Sequence, residues 1–115
     1  MPLNDVERKR CENALSGYVA RHRPPGHMRN QLDLGFRVTD PSVELFEIRP
    51  EWRHPERFHE LPFAKATFVR SRGHWRVFWR RADLKWHRYP PALEVPDIES
   101  FVALVERDEH HCFKG

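Results

Sequence analysis

The sequence predicts an α+β fold: an N-terminal helix, a four- to five-stranded antiparallel β-meander and a C-terminal helix. Apolar residues recur at helical spacing across residues 4–22 and again across 97–108, whereas residues 31–89 change to a period of two. Consecutive strands joined by short turns pair antiparallel, and helices outside such a run pack on one face of the sheet. At 115 residues the chain has the usual size of one domain, so residues 1–115 are predicted to fold as a single domain.

The first helix has a clear start, an apolar stripe and a clear stop. Asn4, with Glu7 three residues later, forms a capping-box pattern in which Asn replaces the usual Ser or Thr. Pro24-Pro25-Gly26 ends the helix, because proline clashes with the preceding turn and restricts the residue before it. The stripe predicted to face the core consists of Cys11, Ala14, Leu15, Tyr18 and Val19.

The first two strands are predicted on either side of the turn signal Asp40-Pro41-Ser42. Residues 32–38 alternate between apolar and polar side chains, which is typical of a half-buried strand. Residues 43–49 form the second strand, but their apolar residues change face after Leu45. Either both faces of this strand are covered or a β-bulge lies near Leu45.

The next two strands follow a long connection. Residues 50–60 form the longest irregular segment, around Trp52 and Phe58, and loops of this kind are often mobile or functional. Residues 63–81 form the clearest hairpin, with its turn at Ser71-Arg72-Gly73.

A shorter fifth strand is predicted at residues 84–89, after which Pro90-Pro91 closes the sheet. Asp97 is a good N-cap for the second helix, at residues 97–108, and residues 109–115 form a short tail. The predicted core consists of Leu15, Tyr18, Val19, Leu32, Leu34, Phe36, Ile48, Phe68, Trp75, Val77, Trp79, Trp86, Phe101, Val102 and Val105.

Composition predicts a cytoplasmic protein without a membrane partner. No stretch approaches the ~20 apolar residues that span a bilayer, and the N-terminus is charged within five residues rather than resembling a signal peptide. The two cysteines, Cys11 and Cys112, match no paired-cysteine motif and lie at opposite ends of the chain. They are therefore predicted to be reduced thiols, since a bridge would require the chain ends to meet.

The formal net charge of +3 conceals a strong segregation along the chain. Residues 61–93 contain eight basic residues and one acidic residue, whereas residues 94–115 contain two basic residues and six acidic residues. Residues 1–60 are balanced, with ten of each sign. The basic block coincides with the predicted hairpin and fifth strand, so the sheet is predicted to have one basic face.

This basic face is interleaved with aromatic residues, which is the pattern of proteins that bind single-stranded nucleic acid through phosphates and stacked bases. Two other interpretations stay open: the face is simply solvated or neutralised by the acidic second helix, or it binds an acidic protein. The predicted ligand-binding residues are Lys65, Arg76, Phe78, Arg80, Lys85, His87 and Tyr89.

Catalytic motifs are weak in this sequence. The five glycines are isolated, so no phosphate-binding loop, dinucleotide fingerprint or nucleophile elbow is present. No cofactor and no catalytic residue are predicted.

An alternative is an enzyme or metal-binding protein, for which His111 and Cys112 are the weak metal-ligand candidates. That alternative requires Asp83, Lys85, His87, His111 and Cys112 to converge in one cleft. A further alternative is a homodimeric protein-interaction domain, with the oligomeric state left open.

Several short motifs resemble an uncharacterised bacterial family, the domain of unknown function DUF3024. The most specific are the run Ala82-Asp83-Leu84-Lys85-Trp86-His87 and the closing Cys112-Phe113. The family has no assigned activity, cofactor or catalytic residue, so the resemblance implies no chemistry. It does imply that the whole chain is one self-contained domain.

Overall fold

A computed structural model describes residues 3–109 and 112–113. The chain forms helix α1, a short 3-10 turn, five strands, a two-residue strand and helix α2, so the predicted α+β class is confirmed. The helices are α1 (Asp5–His22) and α2 (Ile98–Arg107), and the 3-10 turn is Gly26–Met28. The strands are β1 (Asp33–Thr39), β2 (Ser42–Pro50), β3 (Phe58–Val69), β4 (His74–Arg80), β5 (Trp86–Arg88) and β6 (Glu94–Val95).

Both helices begin at the residues that the sequence indicates. Asn4 accepts a hydrogen bond from the backbone of Glu7 at 2.8 Å, and its own backbone donates to the Glu7 carboxylate at 2.9 Å. This reciprocal capping box satisfies two backbone groups at the start of α1. Asp97 caps α2 by accepting from the backbone N–H of Ser100 at 2.8 Å.

The strands form one antiparallel sheet in the order β1-β2-β3-β4-β5, with every neighbour in the meander adjacent in sequence. The long connection is shorter than predicted, because Phe58 and the residues after it already pair with the end of β2. Residues 51–57 are therefore the loop of an extended β2–β3 hairpin rather than a long irregular segment.

The predicted irregularity near Leu45 is confirmed. Leu45 pairs with Ala64 but Phe46 pairs with Pro62, so Phe63 is one extra residue in β3. Both strand faces are also covered here, because Phe46 is 6% exposed although it lies on the side away from the helices. There the guanidinium of Arg37 lies 4.6 Å from the centre of the Phe46 ring.

Gly35 of β1 pairs with Phe46 and leaves room for its ring. A Cβ atom on Gly35 would lie 2.7 Å from Cε2 of Phe46, which is too close for any side chain. We expect Gly35→Ala to lower the free energy of unfolding by about 1–3 kcal/mol, the usual cost of overpacking. Urea unfolding measures this change. Gly26→Ala is the matched control, since its Cβ would meet nothing within 4 Å, and equal midpoints for the two variants would contradict the argument.

The end of the sheet differs from the prediction. Pro90-Pro91 was predicted to end the sheet, but it only interrupts the pairing along the edge of β4. After the two prolines the chain pairs with β4 again as β6. Val77 bonds with both segments: its carbonyl accepts from Tyr89 and its N–H donates to Leu93, each at 3.0 Å. β5 and β6 therefore share one edge of β4, broken where proline lacks the N–H that a ladder needs.

α1 and α2 pack against each other and on the same side of the sheet. Of the predicted core, Ile48 and Trp86 lie on the opposite side of the sheet, because each pairs with a residue on that side. Several buried side chains were not in the predicted core, above all Tyr89, which is 1% exposed. The largest fully buried side chains are Tyr18, Tyr89, Phe101, Leu15, Leu45, Ile98, Val43, Val77, Val105 and Cys11.

The start of α1 is tied to the β1–β2 turn by the carboxylate of Asp40. One oxygen accepts from the backbone N–H of Leu3 at 2.6 Å, and the other pairs with the Arg8 guanidinium at 2.9 Å. Leu3 immediately precedes the N-cap residue of α1, and Arg8 lies in the first turn of the helix. The helix layer is thereby held in register with the end of the sheet where β1 meets β2.

Candidate nucleic-acid interface

The helices cover only one side of the sheet. Val77 of β4 is completely buried on the helix side. Its neighbours at alternate positions, Arg76, Phe78 and Arg80, therefore lie on the opposite side, which we call the open face. Lys65 of β3 pairs with Phe78 and joins them there, so four predicted ligand-binding residues share one surface.

Two residues of β5 belong to the open face although the sequence analysis did not place them there. Trp86 pairs with Arg80, and Arg88 pairs with Phe78. Both are therefore on the same side of the sheet as their partners. The aromatic content of the open face next to the cations thus comes from Phe78 and Trp86.

The rings and the cations of the open face are in direct contact. The Lys65 ammonium lies 5.6 Å from the ring centres of both Phe78 and Trp86. The Arg88 guanidinium of β5 lies 5.8 Å from the Phe78 ring centre. Cation–π contacts at exposed sites contribute about 0.5–1 kcal/mol each, enough to hold flexible side chains close to the rings.

The acidic second helix does not neutralise this face. Glu99 of α2 pairs with Arg10 of α1, and Glu106 of α2 pairs with Arg21 of α1. These two carboxylates of α2 are thus neutralised across the helix layer. Because that layer lies on the other side of the sheet, the prediction that α2 could cover the basic face is not met.

Two carboxylates of the open face, Glu60 and Glu94, have cationic partners. Glu60 pairs with Arg37. Glu94 of β6 lies 3.0 Å from His74, 3.5 Å from Arg72 and 3.8 Å from Arg88.

Three cations of the open face have no such neutralisation. Over the part of the chain that the structure describes, no ion pair joins Lys65, Arg76 or Arg80 to a carboxylate. Glu44 and Glu94 lie opposite Lys65 and Arg76 in the register, but outside ion-pair distance. Positive charge is therefore available for a ligand.

The β4–β5 turn adds further positive charge beside the open face. Lys85 is exposed in this turn and follows Leu84, which adopts a left-handed backbone with φ of 63°. The Arg81 guanidinium instead lies 5.5 Å from the ring centre of Trp79, on the helix side. Asp83 is directed back into the turn: its carboxylate accepts from the backbone of Lys85 and lies 2.9 Å from His87. The backbone hydrogen bond and then the His87 contact lower the pKa of Asp83 below its ordinary value.

Two of the predicted ligand-binding residues do not lie on the open face. His87 pairs with Trp79, which is on the helix side, and it contacts Asp83. Tyr89 is buried and stacks on Phe113, with ring centres 4.6 Å apart. The prediction that these two residues share the face of Arg76, Phe78 and Arg80 was wrong, because the register places Trp86, rather than His87, opposite a residue of that face. Lys85 is exposed in the turn and stays beside the face.

The residues of the enzymatic alternative are only partly brought together. Asp83 and His87 form a pair, whereas the Cys112 thiol has its pKa raised by burial and then by Asp108. A nucleophilic thiol requires the opposite shift. Neither cysteine forms a disulfide bond, and burial raises the pKa of Cys11 to about 11. His111 lies outside the described residues.

The metal-binding alternative gains no support from the described residues. Within residues 3–109 and 112–113, no group of three or more His, Cys, Asp or Glu side chains is placed to hold a metal ion. The same part of the chain contains no helix long and apolar enough to cross a membrane.

Fold and surface together define a class: a small α+β protein with two helices on one side of an antiparallel sheet and a cationic, aromatic surface on the other. The chain belongs to the family described as the domain of unknown function DUF3024, whose family model matches residues 3–115. The resemblance predicted from the motifs is therefore confirmed over essentially the whole chain. No curated protein and no solved structure matches it.

Proposed function

We propose that this protein is a non-catalytic binding module that takes single-stranded nucleic acid on the open face. Lys65, Arg76 and Arg80 contact phosphates, and Phe78 and Trp86 stack with bases. The observation that carries the proposal is the combination of three cations without carboxylate partners and two rings on one uncovered sheet surface.

Shape favours a single strand over a duplex. A sheet face is a broad platform, and rings within it can stack only with bases that are free of a partner strand. Lys65 already lies against the two rings, so a base that stacks there also brings its phosphate close to an ammonium group. Cationic and aromatic contacts therefore act on the same nucleotide.

A salt titration of oligonucleotide binding tests the proposal. Single strands release counterions with a slope of about −0.7 in log affinity per log salt for each phosphate neutralised. With three available cations we expect a slope of about −2, measured by fluorescence anisotropy with a labelled oligothymidine. Absence of binding at low salt, or binding that is indifferent to salt, would rule the proposal out.

A further inference from the structure

The loop of the β2–β3 hairpin displays an aromatic side chain that the open face does not account for. Trp52 is 85% exposed, the highest exposure among the large apolar side chains described, and Phe58 at the start of β3 is 53% exposed. Tryptophan is usually well buried, because its large apolar surface is costly to leave in water. The exposure of both aromatic side chains at one hairpin end therefore requires explanation.

Loop flexibility does not explain this exposure, because the loop is held by its own hydrogen bonds. Glu51 donates to the carbonyl of Arg57 at 2.9 Å, and Arg57 donates to the carbonyl of His54 at 2.8 Å. His54 in turn donates to the carbonyl of Glu51 at 3.2 Å. Trp52 is thus presented on an ordered turn.

The hairpin end is continuous with the open face along β3. Phe58 and Lys65 pair with Pro50 and Glu44 of β2, which are an even number of positions apart and so share one side of the sheet. The six positions between these partners correspond to about 20 Å along the strand. One surface therefore extends from the rings of Phe78 and Trp86 to the hairpin end.

Charge at the hairpin end matches the same kind of ligand. The Arg53 guanidinium lies 5.1 Å from the Trp52 ring centre, which repeats the pairing of ring and cation found around Lys65. Along the described chain, neither Arg53 nor Arg57 forms an ion pair with a carboxylate, whereas Arg49 pairs with Glu47. An apolar protein surface would leave these two guanidinium groups without a counter-charge.

We infer that Trp52 and Phe58 form a second base-stacking site. One single strand would then run along β3, from Phe78 and Trp86 to the hairpin end. This inference rests on the proposed function and adds the direction and the length of the bound strand. A short oligonucleotide occupies only the first site, at Phe78 and Trp86, whereas a longer one reaches both sites. Single-stranded binding surfaces of this size take about 4–16 nucleotides.

The test compares labelled oligothymidines of about 4 and about 12 nucleotides on the wild-type protein and on the double variant Trp52→Ala/Phe58→Ala. We expect the wild type to bind the longer strand at least tenfold more tightly, and the double variant to lose about tenfold on the longer strand alone, since stacked bases contribute strongly. Trp52→Phe retains a ring and should restore part of the difference. Leu93→Ala, which removes an exposed apolar side chain elsewhere, is the matched control.

The outcomes separate the two proposals. If neither strand binds the wild type, the proposed function fails and the inference falls with it. If both strands bind and the double variant leaves both affinities unchanged, the function stands and the inference is overturned. Loss in the variant of a concentration-dependent dimer, or of binding to anionic vesicles, without loss of affinity for the longer strand would assign the hairpin end to another partner and would also overturn it.

Discussion

Neutralising the open face is expected to abolish most of the affinity for single-stranded nucleic acid. In the triple variant Lys65→Gln/Arg76→Gln/Arg80→Gln, each lost phosphate contact costs about 1 kcal/mol, so binding weakens roughly 100-fold in all. The salt slope should also fall, because the three cations of the open face that lack carboxylate partners no longer release counterions. Anisotropy titrations at two or more salt concentrations measure both quantities.

A matched control removes the same charge from other parts of the protein. Lys9, Arg29 and Arg107 lie outside the sheet, so the triple change of these residues to Gln lowers the net charge equally. If affinity depends on total charge alone, the two triple variants should weaken binding to the same extent, and the open face would not be the site. Thermal unfolding of both variants checks that the fold is retained, since the replaced side chains are not in the core cluster.

Truncating the central aromatic residue of α2 is expected to have the largest effect on stability. Phe101 is completely buried within the core that joins the helix layer to the sheet. Phe101→Ala should lower the free energy of unfolding by about 3–5 kcal/mol, from lost burial and from the cavity left behind. Because small proteins are stable by only about 5–15 kcal/mol, this variant should be close to unfolding at ambient temperature.

Val6→Ala on α1 is the control for that measurement. Val6 is 78% exposed, so its truncation removes almost no buried surface, and alanine favours the helix slightly. Urea unfolding should leave this variant at or above wild-type stability. Similar losses in both variants would show that α2 does not pack on the sheet through Phe101.

The elements themselves were predictable because their signals are local. The capping residues Asn4 and Asp97, the alternation in β4 and the change of face after Leu45 each depend on a few neighbouring residues. β6 was missed because two residues after a proline pair carry no periodicity. Trp52 lies in a segment that was predicted to be irregular, and no local signal in the sequence indicates that its turn is hydrogen-bonded.

The phase of β5 could not be derived from its own sequence. Alternation indicates that Trp86 and Arg88 share a face, but not which face, because that depends on how the preceding turn is closed. Here the left-handed backbone at Leu84 and the two contacts of Asp83 set the register. One residue more or less in that turn would exchange the two sides of the strand.

The sequence by itself determined the helices, the meander and the separation of charge into a basic sheet segment and an acidic end. Only the tertiary structure decided whether those two regions meet. They meet at Glu94, which pairs with Arg72 and Arg88 of the basic segment. Glu99 and Glu106 of α2 instead pair with Arg10 and Arg21 within the helix layer, which lies on one side of the sheet. Ion pairs form between groups that packing brings within about 4 Å, and separation along the chain carries no information about that distance. The basic face is therefore left without the acidic helix as its partner.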